Sequence, residues 1–260
     1  MTPALPLTWA VKTDAGLRRT SNEDSHSTRP DLGLFIVADG MGGHVAGEVA
    51  SRVAVESIAS FVDESAGADP NRTWPFPFEP ELSFEANRLK TAFRLANRRI
   101  ASAIADSQDL RGMATTASAV LHAPRASCVA HIGDSRVYVL RERQLHQLTQ
   151  DHSWVEEQVR AGTMTPAAAR QHPWRNVVTR ALSGGDDPEI DVVEITPQPG
   201  ERCLLCSDGL FGVVPDEKIA EILADPIGSL EDVCRRLIDA ANAAGGPDNI
   251  TAMILQVDAA

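Results

Sequence analysis

The sequence has little cysteine, no excess of basic residues and no long apolar run, and each scarcity excludes a class of protein. Four cysteines among 260 residues are too few and too scattered for a disulfide framework. Acidic residues outnumber basic ones, 36 to 24, and the net charge of −12 argues against a general binder of nucleic acid or anionic membranes, which needs a basic face. The N-terminal segment MTPALPLTWAVKTD lacks the apolar core of a signal peptide, and no stretch approaches a membrane-spanning length. We therefore expect a soluble cytoplasmic protein.

Two of the cysteines, Cys203 and Cys206, have the C-x-x-C spacing of redox and zinc motifs. They lie inside an apolar run, CLLCSDGL, that is typical of a buried strand. Side chains three residues apart on a strand point to opposite faces of the sheet. The spacing therefore favours core packing over redox or zinc chemistry.

The distribution of apolar residues predicts one globular domain over residues 1–260, since 43% of the residues are hydrophobic and can bury a sizeable core. Apolar runs predict strands near residues 8–13, 32–38, 114–122, 127–132, 137–141, 190–195, 203–207 and 250–257. Helical periodicity covers residues 46–61, 89–104 and 230–244, the last opened by Ser229 as N-cap. Strands come in runs that do not alternate regularly with helices, which predicts an α+β sandwich of mostly antiparallel sheets.

Two segments are expected to stand apart from this core. Residues 66–80 (AGADPNRTWPFPFEP) have no periodicity and are rich in proline, which is typical of a surface loop. We expect its aromatic residues, Trp74, Phe76 and Phe78, to pack back onto the body of the protein. Residues 152–187, here called the flap, contain the short helical pieces SWVEEQVRAG and TPAAARQH and are expected to form a mobile subdomain.

Four aspartates lie at the ends of predicted strands, each with a glycine one or two residues away. They are Asp39 in FIVADGMGGH, Asp134 in HIGDSR, Asp208 in LLCSDGL and Asp248 in GGPDNI. One interpretation is that each is a turn residue, because Asp-Gly is a common turn signal. The other is that they meet around a cation, since clustered carboxylates repel one another unless a cation neutralises them. An all-oxygen ligand set would favour Mg²⁺ or Mn²⁺ over zinc.

A charged cluster, GLRRTSNED, lies upstream at residues 16–24. It is either a solvated loop or a site where one guanidinium binds phosphate beside carboxylates that orient water.

Six motifs follow one another along the chain: R-x-x-N-E-D (19–24), ADGMGGH (38–44), GMATT (112–116), IGDSR (132–136), SDGL (207–210) and GGPDNIT (245–251). In this order they resemble the metal-dependent protein phosphatases, the type 2C Ser/Thr phosphatases, in their compact bacterial form. The resemblance covers residues 16–257. It implies a four-layer α-β-β-α sandwich, two antiparallel sheets flanked by helices, with a binuclear Mn²⁺/Mg²⁺ centre at one end.

The resemblance also implies metal ligands. Asp39 would bridge both ions, and the carbonyl of Gly40 would bind one of them. Asp208 and Asp248 would complete the other ion's site. Asp134, together with Asp208, would contribute to a third, weaker site.

Further roles follow from the same resemblance. Glu23 and Asp24 would act on the metals mainly through bound waters. Arg19 would hold the substrate phosphate, and His44 would be the candidate general acid for the leaving alkoxide. The implied catalytic set is Arg19, Asp39, His44, Asp208 and Asp248.

The implied activity is hydrolysis of phosphoserine and phosphothreonine on proteins by a metal-activated water, without a phosphoenzyme. The expected partners are phosphoprotein substrates and a cognate Ser/Thr kinase, and the expected state is a monomer. Two other functions remain open. One is a catalytically silent domain that binds phosphoproteins, and the other is a phosphoesterase acting on small molecules.

Overall fold

The computed structural model describes residues 6–42, 45–67, 74–123 and 127–258. Its strands are β1 (Leu7–Asp14), β2 (Asp24–Arg29), β3 (Leu34–Met41), β4 (Ala114–Thr115), β5 (Ala117–Leu121), β6 (Ser127–Ile132), β7 (Arg136–Arg141), β8 (Gln144–Gln147), β9 (Asp191–Ile195), β10 (Arg202–Cys206) and β11 (Ile250–Val257). Its helices are α1 (Val45–Glu64), α2 (Phe84–Asp106), α3 (Trp154–Arg160), α4 (Pro166–Gln171), α5 (Asp208–Phe211), α6 (Asp216–Ala224) and α7 (Leu230–Ala243), with a 3-10 turn at Gln108–Leu110.

Within these ranges the strands form two antiparallel sheets. The first has the order β2-β3-β5-β6-β9, and the short strand β4 also pairs with the end of β3. The second has the order β1-β11-β10-β7-β8, so that β11 lies between β1 and β10. The predicted sandwich of antiparallel sheets is confirmed.

Strand β3 shows why the sequence forms layers. Leu34, Ile36 and Ala38 join the apolar cluster that contains the buried faces of α1 and α2. Phe35 and Val37, which alternate with them, point to the other side and pack against residues of the second sheet. All five side chains are fully buried, so the apolar run is continuous because both faces of the sheet are covered.

The second sheet is covered in the same way on its outer face. Leu204 of β10 and Ile254 of β11 share an apolar cluster with Ile219 of α6 and Leu237 of α7. Helices α1 and α2 therefore cover one sheet, and α6 and α7 cover the other. This confirms the four-layer α-β-β-α sandwich that the resemblance implied.

The predicted helices are α1, α2 and α7, and the expected N-cap of α7 is present. Ser229 accepts a hydrogen bond from the backbone N–H of Asp232 at 3.2 Å, and the Asp232 carboxylate accepts one from the backbone N–H of Ser229. The sequence pattern did not predict α6, β8 or β2. The sequence of strand β2, DSHSTR, is polar because β2 is an edge strand and is only partly buried beyond its first residue.

The C-x-x-C pair is divided between two cores, as its spacing predicted. Cys203 packs between the sheets, whereas Cys206 faces the cluster beneath α6 and α7. Both thiols are free, and burial raises the pKa of Cys203 to about 12. The pair therefore contributes to packing.

The two segments outside the layers contact the body of the protein. Trp74 packs against Phe61 of α1 and Phe84 of α2, with ring centroids 5.9 and 5.3 Å apart. Residues 68–73 of the same segment lie outside the described residues. The flap contains α3 and α4, where short helices were expected. No described helix combines the length and apolar character needed to cross a membrane.

Candidate metal centre

Two candidate ligands of the first sheet lie side by side. Asp24, the first residue of β2, is paired in register with Asp39 of β3. The sequence pattern predicted that β3 ends at Ala38, and this was wrong. The strand continues through Asp39 and Gly40 to Met41, because Gly40 and Met41 pair with the short strand β4. Because β3 is paired with neighbouring strands both before and after Asp39, the sheet fixes the backbone of this residue.

Two further candidates come from the second sheet. Asp208 follows β10 and begins α5, while Asp248 lies two residues before β11. The two aspartates are neighbours because β10 and β11 are adjacent strands. The Asp208 carboxyl lies close enough to the first sheet for Asp39 to act on its pKa. The ends of both sheets thus meet at one place.

The electrostatics of the site follow from burying several acids together. Burial, followed by the charges of the four other aspartates, raises the pKa of Asp39 well above its usual range. Burial also raises the pKa of Asp134, and the charge of Asp208 adds to this effect. For Asp208 itself, burial and then the charge of Asp248 raise the pKa to about 6. The structure therefore brings Asp24, Asp39, Asp134, Asp208 and Asp248 into one mutually repelling group.

Asp24 provides the test of whether a cation fits this group. Its Oδ2 accepts hydrogen bonds from the hydroxyls of Ser207 at 2.7 Å and Thr251 at 2.6 Å. Its Oδ1 is buried and has no hydrogen-bond partner. Burial raises the pKa of Asp24 to about 7, despite the opposing effect of the two hydroxyls. A buried acceptor without a donor, among other carboxylates, is suited to a hard cation.

The carboxylates do not converge fully as they stand. Among the described residues, no three acidic, histidine or cysteine side chains are grouped closely enough to hold an ion without further movement. Carboxylates that repel one another are expected to close up only when a cation compensates their charge. The oxygen-only donor set and the orphaned Oδ1 of Asp24 fit Mn²⁺ or Mg²⁺.

Arg19 places a cationic side chain beside this group. Its Nη2 lies 2.7 Å from Oδ2 of Asp248, and its side chain is 53% exposed. The hydrogen bond to Asp248 raises the pKa of the guanidinium, and the charges of Glu23 and Asp208 act in the same direction. Arg19 therefore lies at the solvent-facing edge of the group and remains charged.

Asn249 holds the loop that carries Arg19, although no role was predicted for it. Its Oδ1 accepts from the backbone N–H of Glu23 at 2.8 Å. Its Nδ2 donates to the carbonyls of Ala15 at 3.0 Å and Ser21 at 2.8 Å. The residue is 4% exposed, so these bonds replace those that water would make. Within Pro-Asp-Asn, the sequence pattern predicted a role only for Asp248, which precedes Asn249.

Glycine is required where α1 approaches the site. A Cβ at Gly40 would collide with the carbonyl oxygen of Gly47 in the first turn of α1. A Cβ at Gly47 would in turn collide with the carboxylate of Glu23. The glycines of this motif thus let strand, helix and Glu23 pack closely. His44 lies outside the described residues.

The chain is similar in sequence and fold to known proteins. The protein phosphatase 2C family profile matches residues 17–247. The serine/threonine protein phosphatase PstP of Mycobacterium tuberculosis is 39% identical over 254 residues, which are 97% of this chain and 45% of that protein. The chain thus spans about half the length of this relative. The serine/threonine phosphatase stp of Listeria monocytogenes is 35% identical, over 95% of this chain and 94% of that protein.

A solved structure gives the same result. The crystal structure of the catalytic domain of PstP in complex with two manganese ions has a TM-score of 0.80 and 37% identity, covering 97% of this chain and 99% of that one. The family profile, the relatives and the fold agree with the resemblance carried by the six sequence motifs. The chain belongs to the protein phosphatase 2C family.

Proposed function

We propose that this chain is a metal-dependent protein phosphatase that hydrolyses phosphoserine and phosphothreonine on proteins. The observation that carries the proposal is the group of five aspartates from both sheets, with Arg19 beside it. Four of them have raised carboxyl pKa values: Asp24, Asp39, Asp134 and Asp208. Family membership and the two manganese ions bound by the related PstP domain support it.

The proposed ligands are those that the motifs indicated. Asp39 would hold both ions, the carbonyl of Gly40 would hold one of them, and Asp208 and Asp248 would hold the other. Asp134 with Asp208 would contribute to a third site, and Glu23 and Asp24 would act through water. When bound, Mn²⁺ or Mg²⁺ lowers the pKa of a coordinated water and offsets negative charge on the phosphoryl group.

The protein's own residues position the substrate and the ligands. Ser207 and Thr251 fix the carboxylate of Asp24 through its Oδ2 and leave Oδ1 available. Arg19 presents a planar guanidinium to solvent, which suits bidentate binding of a phosphate. We propose His44 as the general acid for the leaving alkoxide.

The remaining parts of the proposal concern context. We propose one phosphatase domain over residues 1–260, with the flap at 152–187 as a subdomain beside the site and the loop at 66–80 on the surface. The protein would act as a monomer in the cytoplasm and oppose a Ser/Thr kinase. The names of the related Ser/Thr phosphatases support phosphoprotein substrates.

The test is hydrolysis of a phosphothreonine peptide by chelated protein, with and without added Mn²⁺, next to a small phosphoester. We expect release of phosphate only with Mn²⁺, and a higher kcat/KM for the peptide. Full activity after thorough chelation would contradict the mechanism. Preference for the small ester would favour a small-molecule phosphoesterase, and peptide binding without release would favour a silent phosphoprotein-binding domain.

Replacing Arg19 by alanine is expected to raise KM for the phosphopeptide about 10- to 100-fold, because a charge-assisted hydrogen-bonding partner of the phosphate is lost. The neighbouring Arg18 is exposed and provides a matched control. Arg18→Ala should change KM by less than about twofold, as expected for a surface charge. Steady-state kinetics at saturating Mn²⁺ measure both, and equal effects of the two substitutions would refute a specific role for Arg19.

A further inference from the structure

His152 begins the flap and is buried, with only 2% of its surface exposed. Its backbone is held on both sides. The N–H of His152 donates to the carbonyl of Gly133 at 2.7 Å, and its carbonyl accepts from the N–H of Thr179 at 2.8 Å. The N–H of Trp154 donates to the carbonyl of Val177 at 2.9 Å. The two ends of the flap are therefore joined to each other and to the turn at Gly133.

The imidazole of His152 adds a second link to the same turn. The backbone N–H of Gly133 donates to Nδ1 at 3.1 Å, so Nδ1 carries no hydrogen. The hydrogen of the neutral ring is then on Nε2, which lies 3.1 Å from Oδ2 of Asp191 at the start of β9. Both ring nitrogens thus have defined roles, one as acceptor and one as donor.

Gly133 connects this histidine to the acidic group in two ways. It immediately precedes Asp134. This residue is 7% exposed, and its carboxyl interacts with Asp208. Its φ of +102° and the absence of a Cβ allow contact with the side chain of Thr116. Thr116 in turn donates its N–H to the carbonyl of Asp39 at 2.9 Å and accepts from the N–H of Asp39 at 3.1 Å.

We propose that His152 is a positioning residue that fixes the Gly133-Asp134 turn against the base of the flap, through Nδ1 on one side and Nε2 on the other. The effect of this positioning on metal binding rests on the proposed function, in which Asp134 is a ligand. A histidine that only filled space would need neither nitrogen in a particular state. Here the acceptor at Nδ1 is required by the Gly133 N–H, which would otherwise be buried without a partner.

Two substitutions separate the two nitrogens. The side-chain oxygen of asparagine can take the place of Nδ1, and the amide nitrogen of glutamine can take the place of Nε2. His152→Asn therefore keeps the acceptor for Gly133, whereas His152→Gln keeps only the donor toward Asp191. Both are uncharged and polar, so they form a matched pair.

The first measurement is hydrogen exchange of the full chain without metal, over peptides that contain Gly133 and residues 177–180. We expect exchange at the turn to rise about tenfold in His152→Gln, and to stay within about twofold of wild type in His152→Asn, as one buried hydrogen bond is lost or kept. Exchange that is unchanged in both variants, or raised equally in both, would overturn the proposal.

The second measurement is Mn²⁺ binding by titration calorimetry, with Asp134→Asn as reference. We expect His152→Gln to weaken the Asp134-dependent step about tenfold or more, as for other residues that orient a ligand, and His152→Asn to preserve it. If Asp134→Asn leaves Mn²⁺ binding unchanged, the proposed ligand role of Asp134 is wrong, while the exchange measurement still decides the role of His152.

Discussion

Asp39→Asn is expected to lower kcat for a phosphothreonine peptide at least about 10³-fold, equivalent to about 4 kcal/mol in the activation barrier. Asp39 lies between Asp24 in its own sheet and Asp208 of the other, and the charges of four other aspartates act on it. Asparagine has the same shape but removes the negative charge that two cations would share. Steady-state kinetics with saturating Mn²⁺ check this, with Asp109→Asn, an exposed aspartate, as control.

The same substitution should act in the opposite direction on the stability of the metal-free protein. Burial and like charges disfavour an ionised Asp39, so a neutral side chain relieves repulsion. Thermal unfolding in chelator should therefore give a higher Tm for Asp39→Asn than for wild type. A variant that is inactive and also less stable in chelator would show that Asp39 supports the fold instead of the ions.

The pH dependence of stability provides the second large effect, through Asp24. Its pKa is raised to about 7 in the native protein, mainly by burial, from the ordinary value of 3.8. The native state thus holds this proton more tightly than the unfolded chain, and the associated stability is lost as pH rises from about 4 to about 7. Relative to Asp24→Asn, metal-free wild type should lose on the order of 4 kcal/mol of unfolding free energy over this range.

Chemical denaturation in chelator at several pH values measures this difference. The comparison with Asp24→Asn is needed because burial lowers the pKa of His131 to about 4, which makes stability rise with pH over part of the same range. The contribution of His131 is common to wild type and Asp24→Asn, so it cancels in the difference between their unfolding free energies. Added Mn²⁺ at about pH 7 should restore stability to wild type more than to the variant. A parallel pH dependence in the two proteins would contradict the assigned burial of Asp24.

Much of the fold could be predicted from local pattern. The apolar run in β3 and the periodic stripes of α1, α2 and α7 each follow from burial on one face or both. The aspartates at the strand ends could be found because each follows or precedes such a run, with a glycine one or two residues away. Their convergence could not be derived from any single motif, since it depends on which strand ends lie together.

Asn249 was missed because it acts through long-range hydrogen bonds. It is bonded to backbone atoms of residues 15, 21 and 23. Such contacts leave no periodicity in the sequence. Strand β2 was missed for another reason, because its polar residues at the sheet edge resemble a charged loop. The end of β3 was misplaced because its last residues pair with β4, which is only two residues long.

The pairing of β1 with β11 has a consequence for synthesis of the protein. Leu7 is paired with Val257 and Asp14 with Ile250, so the second sheet joins chain segments about as distant as the sequence allows. A ribosome adds about 5–20 residues per second. Until β11 has been synthesised, the edges of β1 and β10 that pair with it in the native sheet have no partner. During translation the first sheet can assemble with its helices, while the second keeps unpaired strand edges until β11 is made.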